Sequence, residues 1–182
     1  MEYIDIVKTI ADLLKNFDSE KPIHKSFQPG IGPFGEPQIV KLIAQRLSNK
    51  GIPSQTKRTP DLDINHEWAI EFKIVRPFGD NGKEAENWSV NMLHPYAGNV
   101  SLIGDAIKLM QLTTFAYKGL FVIAFEHNPP KVSLNPLLDS FEVIAKNVMK
   151  IQLSDRIEER RERLVHKEHQ VLRCIGWQLI SF

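Results

Sequence analysis

Two rhythms of apolar residues run along the chain. Ile4, Val7, Ala11 and Leu14 recur at helical spacing and predict an amphipathic helix over residues 2–16 that packs on the domain. Residues 18–35 carry proline and glycine instead and read as a long loop. A second helical stripe follows at Ile39, Val40, Ile43, Ala44 and Leu47, closed by Asn49-Lys50-Gly51. Pro37 suits its first helical position, which makes Glu36 the expected N-cap. A short strand is expected over residues 52–58.

The rhythm then changes from helix to strand. Residues 59–75 read TPDLDINHEWAIEFKIV. Leu62, Ile64, Trp68, Ile70, Phe72 and Ile74 share one face by parity, and all are apolar. Asp61, Asp63, Ala69, Glu71 and Lys73 share the other. Asn65-His66-Glu67 is the polar break, so the segment reads as a β-hairpin. A turn centred on His66 sets Asp61 opposite Glu71 and Asp63 opposite Ala69, with opposed Cβ atoms roughly 4.5–5.5 Å apart. Two carboxylates at that distance repel each other. A bound cation turns the repulsion into attraction.

Arg76-Pro77 ends the strand, and residues 77–98 form a long connection without clear periodicity. Trp88 and Met92 within it read as core anchors; a pocket or a DNA-contacting loop built by Trp88, Met92, His94 and Tyr96 is the alternative. Asn99 or Ser101 caps a further helix with the stripe Leu102, Ile103, Ala106, Ile107, Met110 and Leu112. Asp105 and Lys108, one turn apart, read as an exposed ion pair. Residues 119–125 predict a central buried strand, stopped at residues 126–130. Helical spacing returns at Leu138, Phe141, Ile144, Ala145 and Val148 within residues 135–152. Residues 154–169 balance Arg156, Arg160, Arg161, Arg163 and Lys167 against five acids and read as a solvated, salt-bridged helix. Residues 171–182 read as an apolar strand or strand pair, whose exposed edge is a candidate dimer contact.

Composition narrows the classes. A chain of 182 residues with 42% hydrophobic content suits one domain with a real core. The core is expected at about residues 30–130, with an extension over 131–182. The formal charge of +1 argues against a protein that coats DNA non-specifically, because no general basic surface is available. The single Cys174 excludes an intramolecular disulfide and is expected to be buried. With no signal-peptide pattern, it points to a reducing cytoplasm. The longest clear apolar run is too short to span a membrane. The chain has no glycine-rich phosphate loop, no supported Ser-His-Asp or Cys-His arrangement, and no cysteine cluster for zinc.

The hairpin carries the candidate chemistry. Two carboxylates suffice for Mg²⁺, which prefers oxygen ligands and keeps several waters. Such an ion polarises a phosphate and lowers the pKa of bound water. Lys73 points the same way as Glu71, and its ammonium can position the attacking water or stabilise charge developing on the phosphorus centre. Lys57 and Arg58, just before the hairpin, are candidates for phosphate contacts. Asp63 shares a face with Asp61 and competes with it for the metal role. A glutamate at position 36 complements the helix dipole, and this duty stands beside a functional one.

Pro60-Asp61 followed by Glu71-Phe72-Lys73 resembles the PD-(D/E)xK motif of the restriction-endonuclease-like nucleases. The resemblance covers roughly residues 30–130. It implies an α/β fold with an αβββαβ core, in which helices flank a mixed central sheet, here with N- and C-terminal extensions. It implies Asp61, Glu71 and the backbone carbonyl of Phe72 as ligands of Mg²⁺, with Mn²⁺ as a substitute. Lys73 would be the catalytic lysine, and Glu36 an auxiliary acid on the preceding helix. Arg76 and Lys108, the latter on a helix expected beside the site, join Lys57 and Arg58 as candidate DNA contacts. The implied activity is endonucleolytic hydrolysis of double-stranded DNA by a homodimer, as in a restriction-type or defence enzyme. Repair or junction resolution, a catalytically silent binding module of the same fold, and an unrelated α/β domain stand as alternatives.

Overall fold

The computed structural model describes residues 1–85, 88–95 and 100–180. Tyr96 and Asn99, and the end of the last expected strand at residues 181–182, lie outside the described residues. A six-stranded mixed sheet forms the middle layer, in the order β1-β2-β3-β4-β6-β5. Its strands are β1 (Ser54–Thr56), β2 (Leu62–Ile64), β3 (Trp68–Val75), β4 (Tyr117–Glu126), β5 (Ile157–Arg161) and β6 (Val171–Leu179). The β3/β4 pair is parallel, and the other neighbours are antiparallel.

Helices cover both faces. α1 (Tyr3–Ser19) and α2 (Glu36–Asn49) pack on one, against Leu62, Ile64, Ile70, Phe72, Phe121, Ile123 and Phe125. The short α3 (Val90–Leu93), α4 (Leu102–Gln111) and α5 (Asn135–Val143) pack on the other, against Ala69, Val75, Leu120, Val122, Ala124 and Trp177. A π-helical turn over Ile144–Val148 continues α5. β4 therefore alternates between two cores and is apolar on both faces, as a strand covered on both sides must be. Gly119 lets the Tyr3 ring lie on the sheet, since a Cβ there would meet the ring at 2.5 Å. Tyr3 then donates from its hydroxyl to the Leu120 carbonyl at 2.7 Å.

The hairpin register is the one that a turn on His66 requires: Leu62 pairs with Ile70, Asp63 with Ala69 and Ile64 with Trp68. Both helices and the central strand also form where expected, although Ile4, 51% exposed, lies off the buried face of α1. Four local expectations are corrected. Helix α2 begins at Glu36 with Gly35 as its N-cap, so Glu36 lies inside the first turn rather than before it. Residues 154–169 do not form a helix. Part of them is β5, which pairs with β6 and supplies partners for backbone groups that would otherwise form an open apolar edge. Its charges are placed by the tertiary fold, with Arg161 at 2.8 Å from Asp12 and Glu158 at 2.7 Å from Arg173. β6 consequently lies inside the sheet, not at its edge, and does not present the dimer contact expected of it. Finally, Asp105 pairs with Lys108 at 2.7 Å as expected, but it is 1% exposed, so the pair runs from solvent into the core rather than over the surface.

Met92 is fully buried and Trp88 packs against the same core, as anchors do. Ser101 caps α4 by accepting from the Gly104 amide at 3.1 Å. Among the described residues, no helix is long and apolar enough to cross a membrane.

Candidate active site

β3 outruns its partner β2. The ladder between them ends at Leu62–Ile70, while β3 continues to Val75. Backbone amides of β3 beyond that point have no strand on the β2 side, and a buried unpaired amide is costly. Two acidic side chains take them. Asp61 Oδ2 accepts from the Phe72 amide at 2.9 Å, and Glu36 Oε2 accepts from the Ile74 amide at 3.1 Å. The first residue of α2 and the residue before β2 are thus brought to the same stretch of β3.

Glu71 and Lys73 project from that stretch toward the α4 side of the sheet. Both are buried, at 4% and 8% exposure. Lys73 Nζ donates to its neighbouring Phe72 carbonyl at 2.9 Å, lies 2.5 Å from Asp105 Oδ2, and is 3.8 Å from Glu36 Oε1. Asp105 completes its own coordination with Lys108, at 2.7 Å. Four carboxylates (Glu36, Asp61, Glu71 and Asp105) and one central ammonium therefore share the site.

The charge balance shows in the ionisation of each group. Burial, then Asp61 and Asp105, push the Glu71 carboxyl up to about 9. Its Oε1 is buried and has no hydrogen-bond partner among the described residues. Burial also raises Glu36, against the pull of Lys73. Burial works against the charged form of Lys73, but Glu36, Asp105 and Asp61 outweigh it and raise its pKa, so the ammonium persists. The carboxylates gather around this ammonium. Among the described residues, no three His, Cys, Asp or Glu side chains already converge in a geometry that would hold a metal ion.

Asp63 lies within the ladder, opposite Ala69, and its oxygens are taken. Oδ1 accepts from the His66 amide at 3.0 Å, and Oδ2 accepts from Lys57 at 2.7 Å and Gln55 at 2.9 Å and contacts His66 Nδ1 at 2.9 Å. Burial penalises its charge, yet these bonds prevail and hold its carboxyl below the usual range. Asp63 staples the hairpin turn to the edge strand, which leaves Asp61 as the carboxylate beside Glu71.

The candidate phosphate contacts divide. Arg58 is exposed just ahead of the hairpin. Lys57 is engaged by Asp63 and lies over the Phe115 ring. Arg76 is lowered to about 10 by burial, donates to the Phe34 carbonyl at 2.5 Å and lies over Phe125. It anchors the loop that leads into Glu36. Lys108 faces Asp105, with its side chain 40% exposed.

Asp105 is the site residue that sequence reasoning missed. Its signal was present in the apolar stripe. Leu102, Asp105 and Leu109 are spaced i, i+3 and i+7, so an acid occupies a position on the buried face of α4.

The donor set suits a hard cation: Asp61, Glu71 and the Phe72 carbonyl are oxygen donors, and Glu71 Oε1 is unpartnered among the described residues. No family model, no curated protein and no solved structure matches this chain, so the reading of the site rests on its own geometry.

Proposed function

We propose that the protein is a Mg²⁺-dependent DNA endonuclease, and that α2, β1–β3, α4 and β4 form a restriction-endonuclease-like αβββαβ core. One observation carries the reading. Glu36 from α2, Asp61 from the loop before β2, and Glu71 and Lys73 from β3 meet at the segment of β3 that β2 leaves unpaired.

Asp61, Glu71 and the Phe72 carbonyl are the residues that would hold Mg²⁺, with Mn²⁺ as a substitute. Such an ion supplies charge neutralisation at the phosphate and a more acidic bound water. The chain's own residues supply the rest. Lys73 offers an ammonium in a buried setting, where a charge acts more strongly on developing negative charge than in water. Glu36 fixes the β3 backbone through Ile74 and sets a second carboxylate near Lys73. Arg58 and Lys108 are the exposed or half-exposed cations that would meet substrate phosphates. Cutting both strands of duplex DNA calls for two copies, which favours a C2 dimer. The activity would be that of a restriction-type or defence enzyme, with repair or junction resolution as the alternative.

A catalytically silent binding module of the same fold is the second reading. The ion pair between Lys73 and Asp105 and the net charge of +1 favour it. One assay separates the two. Purified protein is incubated with linear, supercoiled and branched DNA, with and without Mg²⁺ or Mn²⁺, beside Lys73→Ala. Metal-dependent cleavage lost in the variant supports the enzyme. Binding without cleavage by the wild type selects the silent module.

A further inference from the structure

We propose that Asp105 is a positioning residue that holds the Lys73 ammonium at the acidic site, braced from behind by Lys108. Its catalytic consequence rests on the endonuclease reading, and its structural content does not.

The strand sets only the direction in which Lys73 leaves β3. Four rotatable carbons separate that direction from Nζ, and an untethered lysine samples many rotamers. Three contacts decide where Nζ stops. The Phe72 carbonyl, at 2.9 Å, belongs to the adjacent residue and moves with the strand. Glu36 is more distant, at 3.8 Å. Asp105 makes the short ion pair, at 2.5 Å, and approaches from a different layer of the fold. Only this contact ties Nζ to α4.

Asp105 is itself held in place. Its other oxygen meets Lys108 at 2.7 Å, so each oxygen faces a lysine. The side chain of Asp105 is 2% exposed and that of Lys108 is 40% exposed. The three residues form a strut from the solvent side of α4 to the buried end of Lys73. This separates Asp105 from Asp61 and Glu71. It braces the lysine, while they are left as oxygen donors.

Two measurements on the full chain test the proposal. The first is brief acetylation of lysines, read by mass spectrometry at Lys73, with Lys15 as internal reference. Lys15 lies on α1 and donates to the Arg163 carbonyl at 2.8 Å, away from the strut. Labelling of Lys73 relative to Lys15 rises severalfold in Asp105→Ala. It rises less in Asp105→Asn, whose amide keeps an acceptor of similar shape. The second is steady-state cleavage of plasmid DNA with Mg²⁺. Misplacing a catalytic group by an ångström costs about a hundredfold. The expected loss in Asp105→Ala is therefore of that order and in kcat, with KM nearly constant. Asp105→Asn recovers part of it. Unchanged relative labelling of Lys73 in both variants overturns the proposal. Should Asp105→Ala unfold, Lys15 and Lys73 label together, and Asp105→Asn then decides. Should the wild type not cleave DNA, the endonuclease reading falls, and the labelling alone decides whether Asp105 holds Lys73.

Discussion

The Phe72 amide donates to Asp61 Oδ2 at 2.9 Å, which joins the two halves of the hairpin motif through the backbone. Asp61 replaces a missing strand neighbour and faces Glu71 at the same time. Its position follows from the length difference between β2 and β3, so a structural and a chemical duty fall on one carboxylate.

Glu71 makes the metal-free protein sensitive to alkali. Its carboxyl is pushed up to about 9 from 4.5, by burial first and then by Asp61 and Asp105. A carboxyl raised in the folded state binds more protons there than in the unfolded chain. Its stabilising effect is full below pH 4.5 and is lost as the pH rises toward 9. In EDTA the thermal midpoint falls across that window by more than about 2–4 °C, the shift that about 1 kcal/mol gives in a chain of this size. Glu71→Gln flattens the fall, and Mg²⁺ lessens it in the wild type. An equal slope in Glu71→Gln would sink the assignment.

Asp61 and Asp63 separate in opposite senses. Asp63→Ala leaves the buried turn contacts unmade and costs about 1–3 kcal/mol in urea unfolding. Cleavage per folded molecule stays near the wild-type level. Asp61→Ala loses cleavage. Because bonds lower the Asp63 carboxyl, its contribution is present above its unfolded value of 3.8 and lost as the pH falls below it. Cleavage that depended on Asp63 and not on Asp61 would reverse the assignment.

Lys73 is buried with Asp105, so breaking the pair differs from replacing it. Removing one partner of a buried ion pair typically costs about 3–5 kcal/mol, while replacing both with apolar groups is often neutral. Lys73→Met is expected to destabilise strongly, and Lys73→Met with Asp105→Leu to recover most of the loss. Both abolish cleavage. Denaturant midpoints of the two proteins decide it, and a double variant no better than the single one refutes the coupling.

Gly32 carries the loop that enters α2. A methyl group added there would fall on the His169 ring, which is buried and contacts the Phe78 carbonyl at 3.0 Å through Nε2. Gly32→Ala therefore overpacks the joint, at about 1–3 kcal/mol. Cleavage falls as well, because Glu36 is four residues further on. A thermal midpoint at the wild-type value would show that the ring yields freely.

Legibility differed from residue to residue. The hairpin register needed only the alternation from Leu62 to Ile74 and one polar break, and the observed pairing agrees with it. Glu36 was legible as a helix-start acid, although its contact with Ile74 was not. Residues 157–161 were illegible, since Ile-Glu-Glu-Arg-Arg has no apolar period and a charged segment suits a solvated helix as well as an edge strand. Asp63 was ambiguous because parity places a side chain on a face without saying what meets it there.

The sequence by itself determined the local matters: where the apolar stripes of α1, α2 and α4 make helices, where the hairpin turns, and that Asp61, Glu71 and Lys73 share a face. These depend on spacing along the chain, and the period of a strand or helix is a property of its backbone. The tertiary structure alone decided what covers that face. α4 arrives from some thirty residues away, buries Glu71 and Lys73, and sets Asp105 against the lysine. Only packing at that distance brings enough carboxylates together to raise Glu71 and hold Lys73 charged. Charge interactions in a buried site depend on neighbours in space, which no spacing in the sequence displays.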